Sequence, residues 1–164
     1  MVEFQKKLLG KINSTIRKAS GLKQWRNTGA VIDWFVKIKN KKSQKFIKFD
    51  VVNFYPSITE KLLKDAINWA RQFVDISKEE EDIILNAKRS ILYNDETPWI
   101  KKGESDFDVA QGSYDGAESC ELVGLFLLTE LSEIDRLNVG IYRDDGMAVT
   151  HASPRQTDIM KKKN

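Results

Sequence analysis

The sequence predicts an α+β fold in which helices pack on a mainly antiparallel sheet, and three observations carry that expectation. Phe46–Val52 is dense in β-branched and aromatic residues, which suit a pleated strand. Residues 139–150 read as two short strands about Asp144-Asp145-Gly146, and Asp-Gly is hairpin chemistry because both residues tolerate positive φ. The stretches around them repeat apolar residues every three or four positions, the period of a helix face. Taken in order, the chain gives strand, two helices, hairpin, helix and hairpin, a layered α+β arrangement.

A chain of 164 residues is long enough for one domain with a proper core and short for two. Its apolar share of 41 % and charged share of 31 % exclude a disordered polypeptide. Cys120 and His151 are the sole cysteine and histidine, which excludes an intrachain disulfide and a self-contained Cys/His zinc site. That usage fits a reducing, intracellular setting, nuclear or cytoplasmic. The N-terminal dozen residues lack the apolar core of a signal peptide. The longest apolar run, Leu122–Leu128, is too short to cross a bilayer, so no membrane partner is expected. Lys37, Lys39, Lys41, Lys42, Lys45 and Lys48 occur with no acid before Asp50. Such a run is either a solvated face or a phosphate-contacting surface.

Phe4, Leu8, Leu9, Ile12 and Ile16 mark a helix over residues 1–20, interrupted at Ser20-Gly21. Trp25–Gly29 reads as a loop, and Ala30–Ile38 as a short helix with Val31, Trp34 and Phe35 on one side. Asn40–Ser43 is a basic turn. The strand Phe46–Val52 is apolar on both faces, as expected of an interior strand. Asp50 is then anomalous, because a lone buried carboxylate is costly unless paired or coordinated. Asn53–Pro56 ends that strand. Ser57 with Glu60 is a capping-box signature for a helix through Phe73, and Ser77 with Glu80 repeats it for a helix marked by Ile83, Ile84, Ala87, Ile91 and Leu92. Asn94–Pro98 reads as a loop, after which Trp99–Lys102 and Phe107–Ala110 can pair across Gly103-Glu104-Ser105. Gln111–Gly116 is a Gly-bounded loop leading to a helix over Ala117–Asp135, expected to be the most buried. It carries Cys120, Val123, Leu127, Leu128 and Leu131. His151–Asn164 lacks a core-forming pattern and reads as a frayed tail.

Two adjacent acids at a hairpin tip repel each other, so they either face water or hold a divalent cation. On Gly140–Val149 alone, the solvated surface turn is the simpler outcome. If the strand bearing Asp50 lies beside that hairpin, three carboxylates meet at one edge of the sheet. Hard divalent cations relieve such a cluster, Mg²⁺ typically taking one or two carboxylates plus substrate phosphates. Paired ions of this kind serve phosphoryl and nucleotidyl transfer. Spacing alone does not establish the adjacency.

Phe49-Asp50-Val51-Val52-Asn53-Phe54-Tyr55-Pro56-Ser57-Ile58 resembles motif A of reverse transcriptases. Gln111-Gly112 before a long helix is similar to their motif B, and Tyr142-Arg143-Asp144-Asp145 matches the Tyr-x-Asp-Asp box of motif C. The resemblance runs from Phe46 to about Thr150 and looks nearest to retroelement polymerases, of the Penelope-like kind. It implies a polymerase palm-like antiparallel sheet over 46–151, partial fingers in the helical segment 1–45, and a polar tail over 152–164. The implied activity is RNA-directed DNA synthesis, with a nucleic acid template–primer and deoxynucleoside triphosphates as partners. Two Mg²⁺ ions, with Mn²⁺ as a substitute, would be the cofactor.

In that resemblance Asp50 and Asp144 ligate the metals with the Val51 carbonyl, and Asp145 supports them. Tyr55 takes the sugar-gate position, where a ring collides with a ribose 2′-hydroxyl; the alternative is an ordinary core aromatic. Gln111 and Gly112 lie along the incoming nucleotide and template base, or simply turn a loop into a helix. Arg143 sits near the primer end or forms a local ion pair, and Tyr142 packs beneath the primer terminus or fills the core. Ser113-Tyr114-Asp115-Gly116-Ala117-Glu118 departs from the Ser-Pro that many relatives carry after motif B. The fingers motifs that hold a triphosphate have no clean match, Arg26, Lys37 and Lys39 being the candidates. Little sequence follows motif C for the later palm motifs, and none for a thumb. A catalytically inactive mobile-element remnant, or a basic nucleic-acid-binding module with structural acids, are the alternative functions.

Overall fold

The computed structural model describes residues 2–89, 92–99, 106–133 and 138–150. The elements are α1 (Val2–Ser20), β1 (Lys23–Gln24), α2 (Thr28–Lys37), β2 (Lys45–Asp50), α3 (Phe54–Ser57), α4 (Glu60–Ala70), α5 (Lys78–Asn86), β3 (Leu92–Asn94), β4 (Thr97–Trp99), α6 (Gly116–Glu133), β5 (Asn138–Tyr142) and β6 (Asp145–Thr150). The main sheet has the order β1-β5-β6-β2, with β1 parallel to β5 and the other pairs antiparallel. This is the α+β class read from the sequence, with helices layered on a mixed, mostly antiparallel sheet.

Helix α6 is the hub because its apolar residues surround most of its circumference: Leu122, Val123, Leu125 and Leu128 are all fully buried. Against it pack Leu9, Ile12 and Ile16 of α1 and Leu63, Ala66 and Ile67 of α4, the three- and four-residue stripes of the sequence. Directly opposed residues in a ladder point to one face, and the register sorts the sheet accordingly. Val139, Ile141 and Ala148, with Ile47 and Phe49, pack against Leu128 of α6. On the other face α2 covers one end, where Trp34 and Ile38 meet Trp25 and Val149. The Trp25 and Trp34 rings lie edge to face at 5.0 Å. The opposite end of that face carries Asp50 and Asp145, both exposed.

Several expectations are corrected. Strand β2 is not interior: it is the outermost strand of the sheet and its burial alternates, with Phe46, Lys48 and Asp50 exposed. Asp50 therefore pays no desolvation cost where it stands. The helix after Pro56 is capped by Thr59, whose hydroxyl accepts from the Leu62 amide at 3.1 Å. Ser57 instead closes the single turn of α3, donating to the Phe54 carbonyl at 2.8 Å. Helix α4 stops at Ala70, short of Phe73. The Ser77–Glu80 capping box does form, with bonds of 2.9 and 3.1 Å.

Helix α5 ends at Asn86 and Leu92 enters a strand, while Ile91 lies outside the described residues. Asn94–Pro98 is no open loop. Asp95 and Glu96 turn a hairpin at φ 47° and 63°, joining β3 to β4 with Leu92 opposite Trp99. Trp99 is thus committed upstream, Phe107 bridges to Arg89, and residues 100–105 of the expected second hairpin lie outside the described residues. The end of the long helix at Asp135 and the tail 152–164 also lie outside them. Between the interruption at Ser20-Gly21 and the loop read at Trp25–Gly29 lies β1, which the sequence reading did not assign and which extends the sheet beside β5. Among the described residues no helix is long and apolar enough to cross a membrane.

Candidate functional site

The β5–β6 turn is tighter than its sequence suggests. Tyr142 pairs with Asp145, leaving Arg143 and Asp144 as a two-residue loop. The expected turn at Asp144-Asp145-Gly146 is displaced because Gly146 meets a packing need. A Cβ there would lie 2.1 Å from Cε2 and Cζ of Phe49, so only glycine lets that ring lie across the ladder. The positive φ falls instead on Arg143, at 57°. A non-glycine residue in that region costs about 1–2 kcal/mol, and strain of this kind gathers at functional sites.

The β2–β6 ladder then brings Asp50 opposite Asp145, and the Val51 amide donates to the Asp144 carbonyl at 2.8 Å. Asp50, Asp144 and Asp145 consequently meet at one end of the sheet, all three exposed. Lys48 Nζ stands 3.5 Å from Asp145 Oδ1, a solvated pair worth about 0–1 kcal/mol. Among the described residues no three acidic, histidine or cysteine side chains converge into a self-sufficient metal site. The donors are all oxygens facing solvent. That set fits Mg²⁺ only where substrate phosphates and water complete the shell, which is how the ion is commonly held.

Tyr55 stands beside this end of the sheet. Asn53, at φ 52°, swings the chain from β2 into α3, burying Phe54 and leaving Tyr55 half-buried. The Tyr55 hydroxyl stands close to the Cys120 thiol of α6. Burial first, and Cys120 next, raise the Tyr55 pKa, while the Arg143 charge acts in the opposite sense. Burial pushes the Cys120 thiol up to about 12, against the smaller pull of Tyr55 and the Lys88 charge. A cleft of about 230 Å³ opens between these groups, walled by Trp25, Arg26, Tyr55, Cys120, Tyr142 and Arg143. The Arg143 guanidinium lies 5.7 Å from the centre of the Tyr142 ring.

Gln111 and Gly112 sit on the exposed loop before α6 and are absent from the described residues that wall the cleft. Gly112 has φ +89°, so the turn itself requires glycine. Of the lysine run, Lys37, Lys39, Lys42 and Lys48 are exposed. Lys41 is used internally, donating to the Val36 and Ile38 carbonyls at 3.0 and 2.6 Å and so closing the end of α2.

Sequence reasoning missed three groups here. Trp25 reaches the cleft because Gly140 is bare: a Cβ there would lie 2.3 Å from Trp25 Cζ2. A glycine inside the Val139–Ile141 strand was the available signal. Gln24 ties β1 to α6 by donating to the Glu121 carbonyl at 2.7 Å. Cys120, read as a core position, is also the partner of Tyr55.

Neither a protein-family model nor a curated protein sequence matches the chain. Solved structures do. Apo telomerase from Candida tropicalis, truncated from its C-terminal domain, superposes with a TM-score of 0.71 at 15 % identity, over 98 % of this chain and 36 % of that one. Telomerase from the same organism in complex with a TWJ fragment of telomeric RNA gives 0.64 at 16 % identity, over 96 % and 30 %. The chain thus spans about a third of the length of either telomerase chain. At such identities the likeness is one of fold, shared with part of each telomerase chain.

Proposed function

We propose that this chain is the palm region of a reverse-transcriptase-type polymerase, of retroelement kind, adding deoxynucleotides to a primer 3′-hydroxyl on a nucleic acid template. The observation that carries the reading is the register of β2 against β6, which sets Asp50 beside Asp144-Asp145 on the uncovered end of a sheet face. The fold shared with telomerase supports it, as does the RNA held by one of those telomerases. Residues 1–45 would then be part of the fingers and 46–151 the palm.

Asp50, Asp144 and the Val51 carbonyl would hold two Mg²⁺ ions together with the substrate's phosphate oxygens, Asp145 assisting. Bound divalent ions supply charge neutralisation at the phosphate and activation of the attacking oxygen. The chain's own groups do the rest. Arg143 and Arg26, both lining the cleft, put positive charge where phosphates enter. Tyr55, steadied by Cys120, occupies the space a ribose 2′-hydroxyl would need. Tyr142 offers a ring beneath the primer end, and Gln111 with Gly112 meets the nucleotide and template base. The exposed lysines of α2 and β2 draw in the nucleic acid backbone.

The second reading, a nucleic-acid-binding module without catalysis, is favoured by the exposed Lys37, Lys39, Lys42 and Lys48. Primer extension with Mg²⁺ or Mn²⁺ separates the two. Incorporation that falls at least about a hundredfold in Asp144→Ala is expected, the scale of a lost preorganised charge. No incorporation by the parent chain, with salt-dependent binding intact, supports the module. In the active chain, Tyr55→Ala should admit ribonucleotides; unchanged sugar preference would remove the gate assignment.

A further inference from the structure

The most deeply buried charges among the described residues lie at the base of the loop that carries Gln111 and Gly112. Lys88 is 2 % exposed and Asp115 4 %, and Lys88 Nζ lies 2.5 Å from Asp115 Oδ1. A buried ion pair is a poor way to gain stability, since apolar residues of similar volume do as well or better. What the pair connects is more telling. Lys88 follows α5, and its carbonyl accepts from the Asp108 amide at 2.8 Å while its own amide donates to Leu85 at 3.0 Å. Asp115 immediately precedes α6, and its carbonyl accepts the Ser119 amide at 3.0 Å and the Ser119 hydroxyl at 3.1 Å.

The loop above these anchors has a single internal shape. The Ser113 amide and hydroxyl both donate to the Ala110 carbonyl, at 3.1 and 2.8 Å, and the Gly116 amide donates to Ser113 at 3.2 Å. Gly116 is closed in: a Cβ there would stand 2.4 Å from Ser113 Oγ and 2.7 Å from the Ala110 carbonyl oxygen. The apex, Gly112, is exposed. A rigid loop of this kind is aimed by whatever holds its base, and at its base is the ion pair. We infer that Lys88 and Asp115 are a positioning pair, fixing where the Gln111-Gly112 apex stands relative to the nucleotide cleft beside Tyr55. The inference rests on the polymerase reading of that cleft.

The test compares the parent with Lys88→Met/Asp115→Asn, which removes both charges at nearly unchanged volume. Lys88→Arg serves as the conservative variant; the single Lys88→Met strands a buried carboxylate and is avoided. Two readouts are taken on chains whose melting transition remains cooperative: amide hydrogen exchange at the hydrogen-bonded Ser113, Gly116 and Ser119 amides, and the KM and kcat for a deoxynucleoside triphosphate in primer extension. The double variant should exchange about tenfold faster there and show a KM raised about tenfold with kcat little changed, the expected price of a loosened positioning element. Lys88→Arg should resemble the parent in both. Unchanged exchange in the double variant overturns the clamp. Faster exchange with unchanged KM overturns its role toward nucleotide. A parent chain that incorporates nothing overturns the polymerase reading instead, while exchange still decides the clamp.

Discussion

Tyr55 and Cys120 face each other between α3 and α6, and burial more than their mutual contact governs how both titrate. With its pKa pushed up to about 12 by burial, the Cys120 thiol stays protonated throughout the neutral range, and only the thiolate attacks electrophiles. Iodoacetamide at pH 8 should therefore modify the native chain at least about a hundredfold more slowly than the denatured one; equal rates would mean that the thiol is neither buried nor held. The spacing of α6 made Cys120 legible as a core position. Its partnership with Tyr55 was not legible, because periodicity describes one helix and is silent on what stands opposite. The position of the β5–β6 turn was misread for a related reason. The sequence offers a glycine two positions after Asp144, but that glycine is consumed by Phe49 and the left-handed residue is the arginine.

The β2–β6 ladder is the element on which the site depends, and Phe49 over Gly146 is its tightest packing point. Gly146→Ala should destabilise the fold by about 1–3 kcal/mol, the usual cost of overpacking. Phe49→Leu in the same chain should recover part of the loss, since the clash is with the ring. A melting series on the two single variants and the double measures this; additive losses would show that the residues do not share the space. That β2 pairs with the hairpin could be anticipated from its composition, but its edge position could not. The apolar run continues through Val51 and Val52, which lie beyond the strand, and so it mimics an interior strand. The β3–β4 hairpin escaped notice because Asp95-Glu96 carries the turn without glycine.

Across the whole molecule, the stripes of α1, α4 and α6 were readable as one core because each repeats at helical spacing, and the structure joins them. The joint between α4 and α5 adds a polar cluster to this core. Glu81, 7 % exposed, pairs with Arg71 at 2.6 Å and Lys78 at 2.9 Å. The hydrogen bond from Arg71, then that from Lys78, holds its carboxyl below the ordinary value of 4.5. A depressed carboxyl stabilises the fold above its unfolded pKa, and that contribution is lost as pH falls through the folded value. Acid unfolding followed by circular dichroism should show Glu81→Gln less stable by about 2 kcal/mol at pH 7, with the gap to the parent closing below pH ~4. A gap that persists undiminished at low pH would assign the loss to packing rather than charge.

In the function proposed above, the carboxylates at the end of β2 and at the β5–β6 turn take divalent cations together with nucleotide phosphates. Paramagnetic broadening of amide resonances by Mn²⁺, with a deoxynucleoside triphosphate present, tests it most directly. The account predicts broadening centred on Asp50, Val51 and Arg143–Asp145, and its loss in Asp50→Asn/Asp144→Asn. Broadening centred elsewhere, or unaltered by that double substitution, would contradict it.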